Sequence, residues 1–118
     1  MTQNINRKAI FGVIKDAVLG KKYELSLSFI NARQIEKLNC IYRGIKKPTD
    51  ILSFPLSKKE GEMCICLSTT RKEAKKFNRT YENFLKFLFI HGLVHLKGYE
   101  HGSTMESIEA KFRKRFNV

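Results

Sequence analysis

The sequence predicts an α+β fold: a small mixed β-sheet packed by about five helices, one of them buried at the centre. Three observations lead there. Tyr23, Leu25, Leu27 and Phe29 alternate with Glu24, Ser26 and Ser28, the period of two expected of a strand with one buried face. Ile51–Phe54 and residues 62–67 read as two further strands joined by a turn into an antiparallel hairpin. From Tyr81 onward the chain is apolar nearly all round a helix, which marks that helix as enclosed.

The elements follow in order. Ile10, Val13, Ile14, Ala17 and Val18 form one stripe of a first helix, with Asn4 placed to cap its start and Gly20 to close its end. After the first strand, Asn31 and Gln34 suit a reciprocal cap, and Ile35, Leu38 and Tyr42 continue as an amphipathic helix. Strand, helix and strand make a crossover, which predicts a parallel, right-handed connection between the first two strands. Gly44 ends the second helix and Pro48 keeps the chain extended into the strand at Ile51. Lys58-Lys59-Glu60-Gly61 is a turn. In the third strand Met63, Ile65 and Leu67 share one face and Cys64 and Cys66 the other, so helices should cover both sides. Thr70 with Glu73 and Ser103 with Glu106 have the spacing of capping boxes for a short basic helix and a last helix. Met105, Ile108, Phe112 and Phe116 make the inner stripe of that last helix, with Lys111, Arg113, Lys114 and Arg115 outside.

The 118 residues amount to one domain, 1–118, with 42% hydrophobic content and nine Phe, enough for a core. Lys and Arg number 23 against 11 Asp and Glu, a formal charge of +12, so a polyanion is the expected partner, nucleic acid first. Arg71, Lys72, Lys75, Lys76 and Arg79 on the short helix read equally as a phosphate-tracking surface and as a solvated face. No signal peptide is visible, and the longest apolar run, 84–96, carries Lys86 and two histidines and is too short to span a bilayer. A cytoplasmic protein without a membrane partner is the expectation. Cys40, Cys64 and Cys66 suit a reducing compartment, the last two as small buried residues rather than ligands.

All three histidines lie in His91-Gly92-Leu93-Val94-His95-Leu96-Lys97-Gly98-Tyr99-Glu100-His101. Four residues apart on a helix, His91 and His95 share a face and can grip one ion. Gly98 stands where the helix should stop, and the chain turning back brings His101 from a third direction. Three neutral nitrogens with one open position is the arrangement of catalytic zinc, at the end of the buried helix. Metzincin proteases share this spacing, but their second residue is the glutamate base, and here it is Gly92. Arg43, Lys46 and Lys47 gather before the second strand, where a loop presents them to phosphates. Arginine suits that work because its planar fork holds two oxygens at once. Taken alone, Arg43 reads as a helix-end cation and Asp50 as a strand-end cap.

With Tyr42-Arg43, Pro48-Thr49-Asp50-Ile51-Leu52-Ser53-Phe54-Pro55 and Gly61-Glu62, the histidine stretch closely resembles the YbeY family of bacterial endoribonucleases that mature ribosomal RNA. The resemblance implies the same α+β fold, one zinc ion on His91, His95 and His101, and catalytic roles for Arg43 and His91. It also implies single-strand-preferring cleavage of RNA in 16S rRNA 3′-end maturation and ribosome quality control, with partners on the small ribosomal subunit. Glu100 departs from the family, which more often has aspartate there, and the chain is short for it. Two other readings stand beside this one. One is a metzincin-like peptidase lacking its base; the other is a noncatalytic ribosome-assembly RNA-binding factor with a structural zinc.

Overall fold

β3 (Glu60–Cys66) lies at the centre of the sheet, burying Met63 and Ile65 on one face and Cys66 on the other. The computed structural model describes the backbone of residues 2–118 and the side chains of residues 7–118. A two-residue turn at Lys58–Lys59 folds β2 (Ile51–Ser57) back along one edge of β3, antiparallel, with Ile51 opposite Ile65. β1 (Glu24–Ile30) takes the other edge in parallel, with Leu27 opposite Met63, giving the order β1-β3-β2. Pro55, which has no N–H to give, falls in the edge strand beside a register irregularity.

This arrangement corrects the crossover expected between the first two strands. β1 and β2 are not neighbours and run in opposite directions; the parallel partner of β1 is β3. The short turn commits β2 to β3, so α2 (Ala32–Arg43) carries the chain past the middle position to the far edge. The other expectations for α2 hold. Asn31 and Gln34 form the reciprocal cap, and Gly44 closes the helix in the left-handed conformation at φ 70°. Tyr42 departs from them, because its ring is exposed and leans on Phe54 instead of entering the core.

Helices cover both faces of the sheet. On one side α2 sets Ile35 against Leu52 and Cys66. On the other, α1 (Thr2–Leu19) and α4 (Tyr81–Leu96) enclose Met63 and Ile65, with Phe11 stacked on Phe89 at 4.2 Å between centroids. Each such buried Ile, Met or Phe stabilises the fold by roughly 1.5–3 kcal/mol. The face of α1 is rotated from the expected one. Phe11, Ile14 and Val18 are buried while Ile10 and Val13 are exposed, because the stack on Phe89 sets the helix rotation. The helix already runs from Thr2, so Asn4 lies inside it, and the proposed cap through the Asn4 side chain falls outside the described side chains. Phe29, also expected inside, is largely exposed near the end of the edge strand.

Neither later capping box forms, because Thr70 and Ser103 each lie within the helix instead of just before it. α3 (Leu67–Lys76) starts directly from the sheet, so Thr70 is buried and donates to the Cys66 carbonyl at 2.8 Å. α5 (Ser103–Arg115) starts after Gly102, and Ser103 is its first residue. Arg113, expected outside, is half-buried and donates to Glu106 at 3.0 Å, with its guanidinium over Phe87. Among the described residues no helix is long and apolar enough to cross a membrane.

At Gly92, α4 lies tight against the sheet. A Cβ there would come 2.7 Å from Met63 Cε and 2.8 Å from both Ile51 Cδ1 and Ser53 Oγ. The position that carries glutamate in metzincins is therefore pressed onto the sheet with no space for a side chain. For Gly92→Ala, overpacking of about 1–3 kcal/mol outweighs a helix-propensity gain of about 1 kcal/mol. Urea unfolding should show a net loss of about 1 kcal/mol; an unchanged or raised midpoint contradicts the close seating.

Candidate metal centre

α4 is buried against the sheet and α1, and the side of its last two turns that faces α5 is partly open to solvent. His91 and His95 lie there, half-buried and one turn apart. Gly98, at φ 113°, reverses the chain, and Gly98 N donates to the His95 carbonyl at 2.9 Å. The returning segment carries His101, which is exposed. The three expected ligands thus converge, with candidate nitrogen atoms all within 4.8 Å of one another and ring centroids 4.7 to 5.4 Å apart.

Two contacts decide which nitrogen each ring offers. His91 Nδ1 lies 2.9 Å from Glu109 Oε1, and His95 Nδ1 lies 3.0 Å from the Tyr99 carbonyl oxygen. A carbonyl or carboxylate oxygen only accepts, so each Nδ1 carries the proton and each Nε2 keeps its lone pair free for an ion. Burial pushes the His95 ring below the ordinary imidazole range, and the neighbouring His91 adds to this, against the Tyr99 carbonyl that favours the charged form. A neutral ring is the form that ligates. The donor set, three imidazoles of which two are fixed through Nδ1, therefore fits a metal ion.

Glu109 was not foreseen. It is 4% exposed on the inner side of α5, and Arg113 Nη1 lies 3.7 Å from the same Oε1. Its one signal in the sequence is its place in the stripe of Met105, Ile108 and Phe112, where a lone acid needs a partner. Glu100, where the family more often has aspartate, is exposed on the turn and lines the cleft beside the histidines.

A cleft of about 920 Å³ joins this cluster to the C-terminal end of α2. Arg43 lines it, far away in sequence but on the same wall system as His91, His95 and His101. Arg43 Nη1 approaches Asn39 Oδ1 at 3.5 Å, and buried Asn39 donates from Nδ2 to the Lys47 carbonyl at 2.9 Å, tying the loop to the helix. Asp50 also lines the cleft, its carboxyl pushed up mainly by burial. Lys46 and Lys47 are exposed on the loop and are not among the lining residues.

Fold and site together define an α+β protein that presents three imidazole donors in a cleft beside an arginine, without the peptidase base. The family model for the endoribonuclease YbeY matches residues 1–117. This chain belongs to the YbeY endoribonuclease family. It is 36% identical to the endoribonuclease YbeY of Alkaliphilus oremlandii over 103 residues, covering 79% of this chain and 67% of that one. To the Caldanaerobacter subterraneus protein of the same name it is 30% identical over 117 residues, covering 84% and 74%. The solution structure of TM1509 from Thermotoga maritima is similar at a TM-score of 0.65 and 28% identity, over 95% of this chain and 82% of that one. The chain spans about two thirds of the length of the first two curated relatives it matches.

Replacement of the carboxylate tests its hold on His91. In metal-free protein, ring nitrogen NMR should report the Nδ1–H form for His91, and Glu109→Leu should convert it to a mixture of tautomers while His95 stays as it was. An unchanged His91 ring in Glu109→Leu contradicts the assignment.

Proposed function

We propose that the protein is a zinc-dependent endoribonuclease that cleaves single-stranded RNA, acting in maturation of the 3′ end of small-subunit ribosomal RNA and in ribosome quality control. The observation that carries this is the fixing of His91 and His95 through Nδ1, which frees both Nε2 atoms beside His101 in a cleft that also holds Arg43. Family membership supports the reaction class, and the charge of +12 supports a polyanionic substrate.

His91, His95 and His101 would hold the ion, which when bound supplies Lewis acidity toward a phosphoryl oxygen and makes hydroxide available near neutral pH. Arg43 serves the phosphodiester itself: its fork binds the nonbridging oxygens and opposes the charge that grows on them as phosphorus becomes five-coordinate. Asn39 and the Lys47 carbonyl hold the base of that arm in place. His91, locked by Glu109, keeps its donor nitrogen directed at the reaction centre. Gly92 provides no base, which disfavours peptide hydrolysis and leaves the proton to Glu100, the substrate or solvent. Small-subunit protein partners and a cytoplasmic setting belong to the same reading.

His95→Ala should lose bound zinc and RNA cleavage together. Arg43→Ala should keep its zinc while cleavage of a single-stranded RNA falls by about 10²–10³-fold. Full cleavage by metal-loaded Arg43→Ala removes the arginine from the reaction, and no cleavage by clean wild type with one zinc bound favours the noncatalytic assembly role. Affinity for RNA should fall steeply as salt rises, because several phosphates are neutralised at once; a flat salt dependence contradicts the polyanion reading.

A further inference from the structure

Phe77 is a large aromatic ring left 60% exposed at the C-terminal end of α3. A lone exposed ring needs no explanation, but this one is the outer member of a stack. Its centroid lies 5.3 Å from that of Phe84 with 16° between planes, and Phe84 in turn lies 5.6 Å from Phe87 at 12°. Phe84 is buried, so the inner face of Phe77 is covered and its outer face is open. All three rings line the cleft that holds Arg43 and the histidines.

The ring is held, not dangling. Phe77 N donates to the carbonyls of Glu73 and Ala74, Asn78 turns through the left-handed region at φ 57°, and Arg79 N closes the turn on Ala74 O at 3.0 Å. Basic residues stand on the same helix and the turn after it. Lys72, Lys75 and Lys76 are exposed on the same short helix, and the Arg79 guanidinium sits 4.6 Å from the Phe87 centroid. An open aromatic face in the same cleft as Arg43 and the histidines is what single-stranded nucleic acid requires: the ring stacks a base and the guanidinium holds the backbone. An apolar protein segment would gain nothing from Arg43 and the histidines that line the same cleft.

We propose that Phe77 is a base-stacking platform that extends the Phe77–Phe84–Phe87 stack with one unpaired base of the RNA whose backbone lies in the cleft. The proposal rests on the ribonuclease reading and adds the physical source of its single-strand preference. A base inside a duplex already has both faces stacked and cannot lie on Phe77.

The test uses zinc-loaded protein and a cleavage-resistant phosphorothioate RNA containing 2-aminopurine, whose fluorescence falls on stacking. Wild type should quench the probe. Phe77→Ala and Phe77→Leu should abolish quenching and weaken single-strand binding about tenfold, within the roughly 5- to 150-fold that a stacked base is worth. Phe77→Trp should restore both, and duplex RNA should bind all four proteins alike. Phe77→Leu keeps an apolar cover on Phe84, so a fold defect is separated from loss of the π face. Wild-type affinity in Phe77→Leu, or equal losses for duplex and single strand, overturns the platform alone. A self-association of wild type that Phe77→Leu abolishes, with RNA binding unchanged, also overturns it and assigns the ring to a second copy. Failure of wild type to bind any RNA overturns the ribonuclease reading as well.

Discussion

Two acceptor oxygens, one on Glu109 and one on Tyr99, orient the centre of this protein. An imidazole can present either nitrogen, and a site that needs Nε2 from two adjacent rings must hold the other nitrogen of each. Here the holds come from different places: Glu109 reaches His91 from α5, and the Tyr99 carbonyl reaches His95 from the turn that follows α4. Such an arrangement depends on tertiary structure, because α5 must be docked before Glu109 can meet its partner. Met105 and Phe112, buried on either side of Glu109, supply that docking.

The same dependence explains why a small sheet is enough. α4 is fixed by the core formed with Met63, Ile65 and Phe11, and its C-terminal end carries the histidines to the surface. Gly92 lets the helix approach the sheet, and Gly98 lets the chain return at once, so the donors are brought together by backbone geometry. A charged group as enclosed as Glu109 is tolerated because it has two partners, the His91 Nδ1–H and Arg113. Across the cleft, Arg43 has among the described residues only the long contact to Asn39 as a hydrogen bond, which leaves the guanidinium available to a phosphate.

Much of this was legible in the chain because it is local. Histidines four apart on an apolar helix, then glycine, then a third histidine describe the centre within one short stretch, and the alternation around Leu25 and Leu27 describes a strand. What local pattern cannot show is where a helix has already begun. Thr70 with Glu73 and Ser103 with Glu106 both match a cap, yet α3 is already under way at Thr70 and Ser103 is itself the first residue of α5. Strand order was also out of reach, since the period of β1 says nothing about which edge it will join. The meeting of Arg43 with the histidines joins residues far apart in sequence, so it came from the family motif and not from spacing. Glu109 was passed over because an acid on a basic helix looks solvated, although its neighbours in the stripe were all core residues.

X-ray absorption at the zinc edge of the loaded protein examines the centre most directly. Three imidazole nitrogens at about 2.0–2.1 Å with one oxygen in the fourth position is the predicted first shell. Fewer than three imidazoles, or sulfur from Cys64 or Cys66 among the neighbours, would contradict it.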